Sequence, residues 1–165
     1  MGRVKNTKNA MEDKRPKVGF GVYILNDQNE ILLLKRKKEA GHSPNTWHPP
    51  GGHLEFKEAF EKGVKREAKE EAGVIVDNIN LIGVTNDIYL KENKHYVTLA
   101  FLAKIKSGKP KIMEPDICEK IGWFKLNKLP KNLMLTNKHF FSANPDCLCG
   151  SKKKFKECCG IQNRI

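Results

Sequence analysis

The chain is expected to fold as an α+β protein or a sheet sandwiched between helices. Three features of the sequence lead there. A run apolar on both faces over Val18 to Leu25 and a period-two apolar pattern over Tyr96 to Ile105 are the marks of strands. A central stretch instead repeats every four residues, the mark of a helix with one buried stripe. Strands and helices follow one another without the regular alternation of a parallel α/β protein.

Order is expected from about Lys17, after a flexible basic tail over residues 1–15. Val18, Phe20, Val22 and Ile24 alternate with Gly19, Gly21, Tyr23 and Leu25, so both faces are largely apolar, as in a strand covered on both sides. Asn26 to Asn29 is a turn cluster, and Ile31 to Leu34 a second strand leading into Lys35 and Arg36. Lys37 to Asn45 reads as a loop. Residues 46–52 carry two prolines and two glycines, which bar a regular helix. From about Glu58 to Ala72 the residues Phe60, Val64, Ala68 and Ala72 form a helical stripe, with Gly73 suited to end it. Strands are expected around Leu81 to Tyr89 and Tyr96 to Ile105, joined through Lys91 to Lys94. A polar loop, a short strand at Ile121 to Phe124 and a last helix over Leu133 to Phe141 complete the body. Ser142 to Pro145 breaks the pattern before a cysteine-rich end.

The 165 residues suit one compact domain with short extras, and 39% hydrophobic residues suffice for a core. Lys+Arg 31 against Asp+Glu 19 gives a formal +12. Such a balance favours polyanionic partners, although a solvated basic surface accounts for it equally well. No stretch approaches the roughly 20 apolar residues that span a membrane, and the first residues lack the apolar run of a secretory signal. A cytoplasmic location is therefore expected. Five cysteines in a reducing compartment point to metal binding before disulfides.

The chemistry concentrates on the central helix. Glu67, Glu70 and Glu71 are three and four residues apart, so their carboxylates share one face. Like charges so placed repel by roughly 0.2–0.5 kcal/mol per pair, and a divalent cation would turn that repulsion into a ligand set. Elsewhere on the same helix Glu58/Lys62 and Glu61/Lys65 are compensated pairs, the pattern of a merely solvated face.

This segment resembles the Nudix box. Gly52, Glu58, Arg66, Glu67, Glu70, Glu71 and Gly73 fall on its seven fixed positions and Val74 on its last aliphatic one, while Ala68 is smaller than usual. Trp47, Pro50, Gly51, Gly52, His53, Leu54 and Glu55 are similar to the segment that precedes the box in MutT-like members; Lys57 stands where many relatives have Gly. The resemblance runs from about Lys17 to Phe141. It implies a Nudix α/β/α sandwich and a Mg²⁺- or Mn²⁺-dependent hydrolase of nucleoside diphosphate derivatives. A nucleoside triphosphate cleaved to monophosphate and pyrophosphate is the first choice. A nucleotide sugar, a dinucleotide, an RNA cap, or a non-catalytic nucleotide- or RNA-binding role are the alternatives. By the same resemblance Glu67, Glu70, Glu71 and the Gly51 carbonyl hold the metal, Arg66 orients the carboxylates, and Glu58 supports the helix start or a second metal shell. The general base is sought in Glu67, Glu70 or a loop acid, with Glu119 preferred and Glu114 second. Substrate contacts are sought in Lys35, Arg36 and Phe20. Gly19 and Gly21 leave room for a base or for close helix packing alike. Trp47 and Tyr89, like Phe20, could stack on a base, although core packing is the commoner role of such rings. His48 and His53 read as loop hydrogen-bonders.

At the end of the chain Cys147-Leu148-Cys149 and Cys158-Cys159 have the spacing C-x-C-x8-C-C, two close thiol pairs suited to tetrahedral Zn²⁺. The stretch Asp146–Gly160 resembles the SEC-C motif, with Leu148 where that motif often has Pro and Lys152 where it often has Gly. It implies a structural zinc and a docking module. Lys152, Lys153, Lys154 and Lys156 point to an acidic protein or nucleic acid as partner. The expected division is a tail over 1–15, a hydrolase domain over 16–141 and a zinc tail over 142–165, with the tail separable from hydrolysis. Cys118, standing alone, is expected to be a buried small apolar residue.

Overall fold

The computed structural model describes residues 15–143 and 145–162; the expected basic tail lies outside the described residues except for Arg15. Its strands are β1 (Lys17–Leu25), β2 (Glu30–Arg36), β3 (Trp47–His48), β4 (Gly51–His53), β5 (Ile75–Tyr89), β6 (Lys94–Ser107) and β7 (Cys118–Lys125). The helices are α1 (Phe60–Ala72) and α2 (Leu135–Ser142), with short 3₁₀ turns at Leu90–Glu92, Phe155–Glu157 and Cys159–Gln162.

The strands form one mixed seven-stranded sheet in the order β3-β2-β1-β6-β5, with β4 also paired to β1 and β7 to β2. β1 and β6 run parallel over their full overlap, from Lys17↔Tyr96 to Leu25↔Lys104. The β1–β2 turn is built by Asn26, whose Oδ1 accepts the backbone N–H groups of Gln28 (3.0 Å) and Glu30 (2.9 Å), a local bond that competes with strand pairing and reverses the chain. β1 pairs with β2 only at Leu25↔Ile31. Along the rest of that edge β4 takes over, with Gly19↔His53, Phe20↔Gly52 and Gly21↔Gly51. The sheet therefore forks beside Gly19 and Gly21.

Both faces of β1 are covered, as its unbroken apolar pattern requires. On one face Phe20, Val22 and Ile24 pack with Val64, Ala68 and Ala72 of α1 and Leu99, Phe101 and Ala103 of β6. On the other, Tyr23 and Leu25 join Ile31, Leu33, Phe140 and Phe141. Each fully buried large apolar side chain contributes roughly 1.5–3 kcal/mol. This is the helix–sheet–helix layering expected.

Several boundaries differ from expectation for identifiable reasons. α1 starts at Phe60, because the Glu58 carboxylate accepts the N–H of Glu55 (3.1 Å) in a turn just ahead of the helix. Phe60 itself is 46% exposed, while Gly63 takes the buried place in the stripe: a side chain there would strike the Phe20 ring and the Glu58 carboxylate. Gly73 ends the helix in the left-handed conformation (φ 69°), the C-terminal stop anticipated. β5 begins six residues early, at Ile75, because its register against β6 slips repeatedly and Asn78 has a positive φ; the period-two signal is lost there. α2 begins at Leu135, since Met134 donates its N–H to the Trp47 carbonyl (2.8 Å) and Leu133 bridges to Trp47.

The cysteine tail does not stand apart from the body. Cys147, Leu148 and Phe155 are buried in the same cluster as Tyr23, Phe140 and Phe141. No helix among the described residues is long and apolar enough to cross a membrane.

Candidate active site and metal centres

The fork in the sheet opens a cavity of about 360 Å³, within the range of small-molecule sites. Its floor is β1 and β4, through Gly19, Gly21, Gly51 and Gly52; one wall is α1, through Glu67 and Glu71. The glycines are steric necessities. A Cβ on Gly52 would collide with the Glu67 carboxylate and one on Gly51 with the Phe20 carbonyl. Gly52 thus lets the Glu67 carboxylate lie on strand backbone, and Gly51 lets β4 close on β1.

Glu71 is 7% exposed, and its Oε2 accepts the Gly51 N–H at 3.0 Å. Burial pushes its carboxyl up to about 8; the Gly51 N–H opposes the rise, and the charges of Glu67 and Glu114 add to it. Glu67 is raised as well, by burial, against the opposing pull of Arg66. Arg66 is the hub of the helix face. It grips Glu58 through Nε (2.8 Å) and Nη2 (3.0 Å), a two-pronged bond. Its Nη1 reaches Glu67 (2.7 Å) and Glu70 (3.1 Å), and its Nη2 the His53 carbonyl (3.2 Å). Bonding to Glu58 first of all holds the guanidinium firmly protonated.

One guanidinium does not neutralise this many carboxylates. Glu71, buried and bonded to the Gly51 N–H, fits a divalent cation with oxygen ligands, alongside Glu67. The three helix carboxylates are not equivalent. Glu70 has a side chain 53% exposed, turned to Arg66, and does not line the cavity.

The other predicted residues divide similarly. Arg36 and Phe20 line the cavity; Arg36 Nε donates to the His42 carbonyl at 2.7 Å. Lys35 does not line it: its ammonium pairs with Glu119 at 2.7 Å, so those two candidates neutralise each other outside. The Lys35 hydrogen bond holds the Glu119 carboxyl below its usual range. Glu114 sits in a loop pinned to the end of α1 by Lys111 N–H to Ala72 O and Met113 N–H to Glu71 O. Its charge bears on both Glu67 and Glu71. Trp47 is a core residue, its ring 4.7 Å from that of Phe124. His48 is buried and pushed down to about 4 by desolvation, and its Nδ1 bonds the Pro49 carbonyl. Cys118 is buried, as anticipated.

Of the far wall, only Tyr89 was a candidate from the sequence. This wall comprises Tyr89, Tyr96 and His42, with ring centroids 4.7–5.8 Å apart, and Thr136 and Asn137 of α2. Asn137 is 2% exposed; its Oδ1 accepts the Tyr23 hydroxyl at 2.7 Å, and its Nδ2 has no partner. An orphaned buried donor is costly, by about 1–3 kcal/mol, unless a ligand takes it up. No local signal in the sequence marked Asn137, since Thr136, Lys138, His139 and Ser142 of the same helix are polar too.

In the tail, Cys147, Cys149, Cys158 and Cys159 place their sulfurs within 4.8 Å of one another, the one such donor group among the described residues. Three of the S···S separations are 3.4, 3.6 and 3.9 Å. Zn–S bonds of about 2.3 Å in a tetrahedron demand an edge of about 3.8 Å. The donor set therefore fits zinc, as the sequence led us to expect.

Fold and site define a sheet-and-helix scaffold that presents a carboxylate helix to a nucleotide-sized cavity. Residues 15–143 match the NUDIX domain, and the chain belongs to the Nudix family. Residues 146–161 match the SEC-C motif. The chain is 33% identical over 108 residues to the ADP-ribose pyrophosphatase of Methanocaldococcus jannaschii, covering 66% of this chain and 62% of that protein. It is 29% identical over 112 residues to the 8-oxo-dGDP phosphatase NUDT18 of Mus musculus, covering 67% of this chain but 32% of that protein. The chain thus spans less than two thirds of these relatives' lengths. A MutT NUDIX hydrolase structure from Burkholderia pseudomallei superposes with a TM-score of 0.70 at 36% identity, over 76% of this chain and 95% of the other. The positive φ of Lys57 (66°) gives a physical reason for the Gly often found at that place in the family.

Proposed function

We propose that the protein is a divalent-metal-dependent hydrolase of nucleoside diphosphate derivatives, with a nucleoside triphosphate as substrate and monophosphate and pyrophosphate as products. The observation that carries this is two sets of groups lining one cavity: the buried carboxylates of Glu67 and Glu71 on α1, and Asn137 on α2, whose buried Nδ2 has no hydrogen-bond partner. The carboxylates suit a metal-bound pyrophosphate; the amide suits a carbonyl or ring nitrogen of a base.

A cation held by Glu67, Glu71 and the Gly51 carbonyl would supply charge neutralisation and a more acidic bound water. The chain's own groups do the rest. Arg66 orients Glu67 and opposes the rise that burial gives its carboxyl, through bonds to Glu58 and Glu67 together. The Gly51 N–H fixes Glu71. Arg36 brings a permanent cation to the cavity for a phosphate oxygen. The rings of Tyr89, Tyr96 and His42 offer apolar faces on which a base can stack. Glu114 is our choice of general base, because its charge reaches both metal carboxylates whereas Glu119 is committed to Lys35. Glu70, tied to Arg66 at the surface, supports the hub from outside the cavity.

A second reading is favoured by the relative named an ADP-ribose pyrophosphatase: a nucleoside diphosphate carrying a second sugar. The deciding experiment is product analysis with Mg²⁺ across nucleoside triphosphates, ADP-ribose, nucleotide sugars and capped RNA. Pyrophosphate as the main product from a triphosphate is expected. Turnover confined to ADP-ribose or sugars would shift the substrate class, and no turnover of any would leave a binding protein.

A further inference from the structure

The feature left unexplained by hydrolysis is the way the cysteine tail is built into the wall of the cavity. α2 has eight residues, too few for a helix to persist alone, and no side chain caps its start. It is held by what surrounds it. Phe140 fills the space left by Gly83 of β5, where a Cβ would come within 2.9 Å of its ring. His139 Nδ1 bonds the fully buried Asp87 at 2.7 Å, and Thr136 shares a hydrogen bond with the Tyr89 hydroxyl. The remaining support comes from the tail. Phe155 is 2% exposed with its ring 4.6 Å from that of Phe141. The Lys156 ammonium donates to the Ser142 carbonyl at 2.7 Å, satisfying a helix end whose carbonyls favour a cation.

Phe155 is itself positioned by the metal-ligating segment. A Cβ on Gly160, next to Cys159, would lie 2.7–2.9 Å from the Phe155 carbonyl and ring, so this glycine clasps the aromatic from behind. Phe155 N–H donates to the Pro145 carbonyl and Cys158 N–H to the Phe155 carbonyl. The tail's described elements are two 3₁₀ turns and a single bridge, Asp146↔Lys154, so the bound metal must supply the cohesion that a core would give.

We infer that the four-cysteine tail is a buttress of the substrate cavity: metal held by Cys147, Cys149, Cys158 and Cys159 keeps Phe155 against Phe141 and, through α2, keeps Thr136 and Asn137 in the cavity wall. Phe155 is then a positioning residue for ligand binding, and occupancy of the cysteine site and of the cavity are positively coupled. If the wall is in place only a fraction of the time without metal, apparent affinity falls by that fraction. This rests on the cavity being the nucleotide site, and the experiment separates the two ideas.

Full-length protein, Cys158→Ser and Phe155→Ala are compared for zinc content, hydrogen exchange over residues 135–142, and equilibrium binding of a non-hydrolysable nucleoside triphosphate analogue with Mg²⁺. Cys158→Ser should lose zinc and Phe155→Ala retain it. Both should speed exchange in α2 while α1 stays protected, and both should weaken the analogue about tenfold. In Phe155→Ala any loss of turnover should fall on KM before kcat, with Phe155→Leu intermediate. Slow exchange in α2 and undiminished affinity after zinc is lost would overturn the buttress. Should the parent fail to bind the analogue while α2 exchange still follows zinc, the buttress stands and the choice of ligand fails.

Discussion

The two helices that wall the cavity are specified in opposite ways. α1 has thirteen residues, an apolar stripe continuous with the first core cluster, an internal Arg66 hub and a glycine stop. α2 has eight, and nearly every contact that fixes it comes from elsewhere: Tyr23, Asp87, Gly83, Phe155 and Lys156. The groups suited to metal and water chemistry ride on the self-sufficient helix; the donor suited to reading a ligand rides on the dependent one. Changes on the first should therefore reach turnover, and changes on the second should reach binding.

The largest effect is expected at Glu71. Glu71→Gln should cut turnover about 100-fold while the protein stays folded, because it removes one charge from the metal set. Its pH behaviour sharpens the point. In metal-free protein the Glu71 carboxyl is raised to about 8 from an ordinary 4.5. Between those values the folded state holds a proton that the unfolded state has released, so metal-free stability should fall as pH rises through that window. Thermal melts of metal-free parent and mutant from pH 4.5 to 8 check this: the parent should lose stability relative to Glu71→Gln, and Mg²⁺ should restore it most at the alkaline end. A parallel response of the two proteins would remove Glu71 from the metal set.

A smaller effect, of a different kind, is expected across the cavity. Asn137→Ala removes one hydrogen bond to ligand, typically about 0.5–1.5 kcal/mol, or up to about tenfold in KM with kcat little changed. It also leaves the buried Tyr23 hydroxyl without its acceptor, so the melting temperature should drop. Steady-state kinetics alongside melts distinguish the two. A loss confined to kcat would blur the division between the helices.

The same contrast explains what the sequence made legible. The carboxylate helix could be read because its information is local: spacing of three and four, a stripe of four, a terminal glycine. Gly51 and Gly52 were readable as a motif, but their reason, a carboxylate and a carbonyl resting on them, is tertiary. β5 was read six residues short because its slipping register erases alternation. Asn137 was missed because its partner Tyr23 is 114 residues away. The docking of the tail was missed although Phe155, a lone aromatic among lysines, was in plain view; an aromatic in so polar a stretch needs a place to be buried.

The smallest effect is expected at Glu119, and it tests which loop acid serves the carboxylate helix. Both Glu114 and Glu119 flank Cys118, and sequence alone favoured Glu119. In the fold the strand register of β7 against β2 sets Lys35 opposite Lys120, and the Lys35 ammonium reaches the Glu119 carboxylate beside it. That pair is solvent-facing, and surface ion pairs contribute little to stability. Neither acid lines the cavity, but the charge of Glu114 raises Glu67 and Glu71, whereas Glu119 is held ionised by Lys35 and raises neither. Glu119→Gln should accordingly change kcat by less than about twofold, far below the 100-fold or more that general bases typically supply, and should leave the thermal melt unmoved. Single-turnover rates with Mg²⁺ at saturating nucleotide read this directly. A tenfold loss at unchanged nucleotide affinity would transfer the base from Glu114 to Glu119, and would mean that the end of β7 and the loop joining β6 to it rearrange when nucleotide binds.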